Sequence, residues 1–401
     1  MDFLPPPTIP PLIEQLRAFM ETHVLPAESA MHNASVSLSD TIHPIQEAAR
    51  EEGLWMPQIP KEQGGMGLSL LEHAIVSEVL GESPLGHYAL NCQAPDAGNM
   101  EILIEYGSDV QKERFLAPLL RGETRSCFAM TEPERPGSNP VWLKSHARMD
   151  EDEWVINGHK WFTTGADGAD FVIVMVLTDP GQKLHQRASM FIVPMDADGL
   201  TLVRNIPVMG DVGREWASHG ELRFDGCRVP EHSLLGERGG GFYVAQARLG
   251  PGRIHHCMRW IGVCERALRM MCERAATREV APDDPLGNRQ TIQNWIAESR
   301  AEIDAARLLV LQAAWKIQTI GAGSSRADIS AIKFFVADIM QRVLDRSIQT
   351  HGALGITDDT VLSTFYRHER GARIYDGPDE VHKGVVARNI LQAYGLKRPK
   401  R

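Results

Sequence analysis

Three stretches of different periodicity follow one another along this chain, and their order restricts the fold more than any single motif. From Ile9 to Leu120 apolar residues recur three and four apart, in segments such as Leu12 to Val24, Leu70 to Leu80 and Ala97 to Tyr106. That spacing puts one apolar face on each helix. The glycines of IPKEQGGMG, Ile59 to Gly67, interrupt the pattern with a loop. Between about Thr124 and Gly236 the chain turns to short β-rich runs: Glu153 to Thr163, Asp170 to Leu177, Ser189 to Pro194, Leu200 to Ile206 and His219 to Val229. Asn157-Gly158, a hairpin signal, and Asp198-Gly199 and Asp225-Gly226 are expected to turn the chain between strands. Strands this close, with no helices between them, predict an antiparallel barrel or sandwich rather than a parallel sheet. After GERGGGF, Gly236 to Phe242, long helical patterns return, chiefly Arg289 to Ile320 and Ser325 to Thr350. The stripe Ile303, Ala306, Val310, Ala313 and Ile317 suits an antiparallel bundle and burial between subunits. The expected class is α+β, mostly α, with a helical domain over 1–123, a β domain over 124–236 and a four-helix bundle domain over 237–401.

Composition removes several functions. The 401 residues are 43% hydrophobic, enough for sizeable cores, and the formal charge of -10 argues against binding nucleic-acid phosphates. The basic end, Lys397 to Arg401, reads as a solvated tail. Six cysteines form no CxxC pair and fit a reducing compartment. MDFLPPPTIPP lacks the plan of a signal peptide, and the purest apolar run, Phe171 to Leu177, is too short to span a bilayer. A soluble, cytoplasmic protein is expected.

No GxGxxG follows a strand, and HEXXH, GxSxG and Walker patterns do not occur. His255 and His256 are adjacent, so on a helix they point in different directions, and no metal site is expected. Three segments carry chemistry. SCFAMTEPERPGSN, Ser126 to Asn139, is a turn rich in hydroxyl and backbone donors at the boundary between helices and strands. In NGHKWFTTGAD, Asn157 to Asp167, Trp161 and Phe162 stand beside Thr163 and Thr164, so an aromatic could pack on a flat heterocycle whose edge the hydroxyls bond. IYDGPDEVH, Ile374 to His382, reads as a helix start with Pro378 at the first position and Gly377 as cap. Asp379 and Glu380 are then first-turn acids, and Asp376 is either a turn aspartate or a carboxylate projecting into a cleft.

Taken in order, these segments resemble the acyl-CoA dehydrogenase family over essentially the whole chain. TEPERPGSN resembles the family's TEPxAGSD loop with one residue inserted, KWFTTGA its KxWITNG strand, QTHGALG (Gln349 to Gly355) its QxxGGxG, and IYDGPDEVH its IYEGTSE. FDGCRVPEHSLLGERGGGF is similar to the stretch that closes the β domain. NCQAPDAGNMEILIEYG, CFAMTEP, GPGRIHHCMRWIG and DGPDEVH look most like family members ten and eleven and their bacterial relatives.

The resemblance implies FAD held between the β domain and the bundle. Phe128, Met130 and Thr131 would meet the flavin from the loop, and Phe162, Thr163 and Thr164 from the strand. Ser138 would lie near flavin and thioester. Arg278, Gln290 and Gln349, with Gly352 beside it, match positions that hold the adenosine diphosphate part, commonly from a neighbouring subunit, so a homodimer or homotetramer is implied. REVAPDDPL departs from the family's RxxFGxPL around Arg278. The implied reaction is α,β-dehydrogenation of acyl-CoA to trans-2-enoyl-CoA, with electrons passed to electron-transferring flavoprotein. Asp376 stands in the base's position, normally a glutamate. Gly252, before Arg253, stands where some members carry the base instead, and Arg253 is expected near substrate. Desolvation is expected to raise the basicity of Asp376 once substrate is bound. Two alternatives remain: a nitroalkane-oxidase-like flavin oxidase, which also uses aspartate, and a CoA- or flavin-binding scaffold without turnover.

Overall fold

The structure is a computed structural model that describes residues 6–397. The basic tail beyond Lys397 and the first five residues lie outside the described residues.

Four main helices build the first part: α1 (Ile9–Phe19), α2 (Leu38–Glu51), α3 (Leu70–Leu80) and α4 (Asp96–Tyr106). The start of α3 is set by a capping box, with the Ser69 hydroxyl accepting from the Glu72 N–H and the Glu72 carboxylate accepting from the Ser69 N–H. The loop at Ile59 to Gly67 holds Gly64 and Gly67 at φ +85° and +67°, with a short helical turn over Lys61–Gln63.

Eight strands follow: β1 (Ser126–Ala129), β2 (His146–Asp150), β3 (Glu153–Thr164), β4 (Phe171–Leu177), β5 (Ala188–Pro194), β6 (Leu200–Asn205), β7 (His219–Pro230) and β8 (Leu234–Leu235). They form one sheet in the order β6-β7-β3-β2-β4-β5-β8, with β1 also on β4. Pairing is mainly antiparallel, but β1 runs parallel to β4, Ser126 opposite Phe171. The strand β4 is apolar without alternation because both its faces are buried. Phe171, Ile173 and Met175 join the core shared with the first helices, and Val172, Val174 and Val176 join the core inside the β part.

Two turn expectations fail. Asn157-Gly158 lies inside β3 at a register shift, and Asp225-Gly226 lies inside β7. The two meet, because the Gly226 N–H donates to Asn157 Oδ1 at 2.9 Å. A side chain at Gly158 would come within 2.3 Å of Ser145, so the glycine serves a close crossing rather than a turn. The β2–β3 hairpin turns instead through Glu151, at φ +55°. Asp198-Gly199 does lie between β5 and β6, with Gly199 at φ +84°.

The last part consists of α5 (Gly241–Thr277), α6 (Gln290–Ile320), α7 (Arg326–His351), α8 (Val361–Glu369) and α9 (Asp379–Ala393). Ile303, Ala306, Val310 and Ala313 are buried as their spacing predicts, against α5 and α7 residues such as Trp260, Ile332 and Val336. No helix among the described residues is long and apolar enough to cross a membrane. All six cysteines are free.

Candidate active site

The loop after β1 and the middle of β3 are tied into one unit. The Thr131 hydroxyl donates to the Trp161 carbonyl at 2.8 Å, and the Trp161 N–H donates to the Thr131 carbonyl at 3.1 Å. Below them, buried Lys160 donates to the Met130 carbonyl and to Glu132 Oε1, both at 2.9 Å. Glu132 also accepts from the Lys144 and Ser145 N–H groups at 2.6 and 2.9 Å. Burial pushes the Lys160 ammonium down to about 8, against the pull of Glu132. This ion pair anchors TEPERPGSN, although neither Lys160 nor Glu132 is among the site residues that the motifs mark.

Beyond Lys160 the pairing with β7 shifts register, and Phe162 takes φ +50°. The kink turns Phe162 outward, 45% exposed, between the fully buried Lys160 and Thr163. Thr163 Oγ1 is buried with no hydrogen-bond partner among the described residues. Thr164 Oγ1 meets His219 Nδ1 at 2.9 Å. Phe128 and Met130 face the core shared with the first helices, and the Arg248 guanidinium lies over the Phe128 ring at 4.2 Å. Ser138 is exposed.

Asp376 lies at the opposite end of the sequence, in the turn before α9. That helix starts one residue later than expected, with Pro378 as its N-cap and Asp379 as first residue. Asp376 has φ +52° and Gly377 φ +101°. Four polar groups hold this uncommon turn. Arg253 donates through Nε and an Nη to the Asp376 carbonyl at 3.2 and 3.1 Å, and His382 Nε2 reaches the same oxygen at 3.0 Å. Lys333 donates to the Gly377 carbonyl at 2.5 Å, and buried Asp379 pairs with Arg373 at 2.7 Å. The Asp376 N–H has no acceptor among the described residues.

The Asp376 carboxylate meets His256 Nδ1 at 3.2 Å. Burial pushes this carboxyl up, but His256, Arg253, Arg248 and Lys333 together outweigh it and hold the pKa below the usual aspartate value. The aspartate is therefore an anion in a cationic recess. Arg248 also donates to Asn99 Oδ1 at 3.0 Å and to the Pro95 carbonyl at 3.2 Å. Across from it on α4, burial raises the Glu101 carboxyl to about 7 despite Arg248.

His255 and His256 do diverge: His255 packs on His73 with ring centroids 3.9 Å apart, while His256 turns to Asp376. Arg248 and Lys333 belong to no motif in the sequence, and His256 stands out there only as one of an adjacent histidine pair. Their signal was weak, since Arg253, His256 and Trp260 share one face of α5 only at ordinary helical spacing. Arg278, Gln290, Gln349 and Gly352 are all exposed on the bundle, and none of these side chains hydrogen-bonds among the described residues.

A helical layer, a β layer carrying an exposed aromatic beside a buried hydroxyl unpaired among the described residues, and a bundle presenting an anionic carboxylate make up a three-part fold suited to an enzyme that holds a flat cofactor. Comparison with known proteins agrees. Three domain profiles match along the chain: acyl-CoA dehydrogenase N-terminal domain at 11–123, middle domain at 127–227 and C-terminal domain at 239–391. Acyl-CoA dehydrogenase family member 10 of Mus musculus is 43% identical over 398 residues, covering 96% of this chain and 37% of that protein. Probable acyl-CoA dehydrogenase FadE2 of Mycobacterium tuberculosis is 43% identical over 387 residues, covering 94% of each. Butyryl-CoA dehydrogenase from Megasphaera elsdenii has a similar structure, with TM-score 0.83 at 26% identity over 98% of this chain and 100% of that one. The chain belongs to the acyl-CoA dehydrogenase family. The chain thus spans about a third of the mouse relative and nearly the whole of the mycobacterial one. FAD is the family's cofactor, and the unpaired Thr163 hydroxyl beside the outward Phe162 ring fits it.

Proposed function

We propose that the chain dehydrogenates acyl-CoA thioesters to trans-2-enoyl-CoA, with Asp376 as the base and electron-transferring flavoprotein as acceptor. The observation that carries this reading is the Asp376 carboxylate, kept ionised by a cationic recess at the start of α9. FAD, when bound, supplies the hydride acceptor for the β-hydrogen. Phe128, Met130, Thr131, Ser138, Phe162, Thr163 and Thr164 would hold its flavin part, and Arg278, Gln290, Gln349 and Gly352 its adenosine diphosphate part from a neighbouring subunit of a dimer or tetramer.

Asp376 takes the α-proton on a carboxylate oxygen. Its own N–H, without an acceptor among the described residues, is available to the thioester oxygen and would so acidify that α-carbon. The left-handed φ of +52° supports this reading, together with the carboxylate's contact with His256 of α5. Arg253 acts from behind, on the carbonyl of the base, which supports a positioning role in place of direct substrate contact.

Asp376→Asn tests the assignment, since the amide keeps the shape and removes the basicity. The variant should retain FAD and lose anaerobic flavin bleaching by acyl-CoA. Undiminished bleaching would sink the assignment. Rapid reoxidation of reduced flavin by oxygen, with no bleaching by any acyl-CoA, would point to an oxidase, and a colourless protein that cannot take up FAD to a scaffold.

A further inference from the structure

We propose that His256 is a positioning residue for the base, its Nδ1–H holding the Asp376 carboxylate in the rotamer that meets the substrate α-carbon. The inference rests on Asp376 being the base. An aspartate reaches one methylene less far than a glutamate, so it has less freedom to find its target. Arg253, His382 and Lys333 grip backbone carbonyls and fix where Asp376 leaves the chain. They leave its two side-chain torsions unset. Among the described residues, His256 is the one basic side chain within ion-pair reach of that carboxylate, Nδ1 to Oδ2 at 3.2 Å.

The ring of His256 is itself held on two sides. It packs edge to face against Trp260 and Tyr375, with centroid distances of 6.2 and 5.8 Å. Tyr375 directly precedes the base, and its hydroxyl accepts from Trp260 Nε1 at 3.2 Å and from Arg259 at 3.1 Å. Arg259 in turn pairs with buried Glu369 on α8. The imidazole therefore stands in an aromatic slot whose far wall is chained to the residue it orients. Its 3.2 Å contact is short but not aligned as a hydrogen bond. Contacts of this kind commonly tighten only when substrate is engaged.

The groups facing His256 are Asp376 from the turn, Arg259 and Arg248 from its own helix, and Glu369 from α8. Burial lowers the imidazole pKa and Asp376 only partly opposes it. Nδ1 can donate to the carboxylate from the imidazolium and from the Nδ1–H tautomer alike.

The test uses the full chain loaded with FAD, carrying His256→Ala, His256→Gln or His256→Asn. Anaerobic flavin bleaching is followed against acyl-CoA concentration, with FAD content measured alongside. Ala and Gln should lower the limiting rate about 10²-fold, as a misplacement of about 1 Å does, with little change in half-saturating concentration. Asn, whose amide nitrogen falls near the place of Nδ1, should recover the rate to within about 10-fold of wild type. A wild-type limiting rate in His256→Ala, equal recovery by Gln and Asn, or a loss confined to half-saturating concentration or FAD content would each overturn the proposal. Bleaching retained by Asp376→Asn would overturn the base assignment itself, and the role of His256 with it.

Discussion

Gly377→Ala probes how far the turn before α9 sets the reaction. Gly377 has φ +101°, and a Cβ built there would lie 2.7 Å from His382 Nε2. Ordinary contact begins at 3.4 Å, so the imidazole or the Asp376–Gly377 peptide must give by about 0.7 Å. The backbone conformation alone costs an L-residue roughly 1–3 kcal/mol. Displacing His382 forfeits its 3.0 Å bond to the Asp376 carbonyl, worth about 1 kcal/mol more. If the fold absorbs the whole penalty locally, thermal stability falls by about 2–4 kcal/mol and the base stays in place. The softer route moves the peptide, because His382 is packed against it while the Asp376 side chain is only partly enclosed. A shift of that size carries the carboxylate with it and should lower the limiting rate of flavin reduction about 10²-fold. Rapid mixing with acyl-CoA under anaerobic conditions reads that rate directly, and calorimetry reads the stability. Flavin reduction at the wild-type rate with an unchanged melting temperature would show that the left-handed turn does not aim the base.

The pH dependence has a defined sign. Burial raises the Asp376 carboxyl and the surrounding cations lower it further, so its folded pKa lies below the unfolded value; the stability it contributes is complete above pH ~3.9 and is lost only as pH falls through the lower folded value. Because kcat/KM reports the free enzyme, it should stay level from about pH 7 down to pH 5, while kcat, measured with substrate excluding water, shows its acid limb at higher pH; an acid limb in kcat/KM between those values refutes the cationic recess. Lys160→Met strips the buried Glu132 of its partner and should cost about 3–5 kcal/mol, with loss of FAD from the loosened loop. The pair Lys160→Met with Glu132→Gln should recover part of that in thermal unfolding, and no recovery would mean the two charges act independently.

The broad plan was legible because it depends on local periodicity. Helical spacing marks α3 and α4, and the apolar run Phe171 to Leu177 marks a strand wet on neither side. The parallel pairing of β1 with β4 was not legible, since it joins Ser126 to Phe171 across 45 residues and leaves no trace in either. Asn157-Gly158 misled because the pair that makes a tight turn also serves a strand crossing, and only the neighbour Ser145 decides between them. At the site, Asp376 could be named from its motif. Its surroundings could not, because Arg248, Arg253 and His256 come from α5 and Lys333 from α7, brought together only by packing. In the free protein those cations outweigh burial at the carboxyl; the expectation that desolvation wins concerns the substrate-bound state.

A strand dry on both faces has an ambiguity that half-wet strands escape. Sliding β4 by one residue would exchange Phe171, Ile173 and Met175 for Val172, Val174 and Val176 without wetting anything, so water cannot proofread its alignment. Two hydrogen bonds at its entrance supply what hydrophobicity cannot: the Arg125 N–H donates to Asp170 Oδ2 at 2.7 Å, and the Asp170 N–H donates to the Arg125 carbonyl at 2.8 Å. Asp170 thus works as an index mark, fixing the phase in which large side chains meet the helices and small ones meet the sheet. Since Arg125 directly precedes the strand that bears Phe128, an error in that phase would carry through to Phe128 and the loop behind it, where the proposed flavin contacts begin.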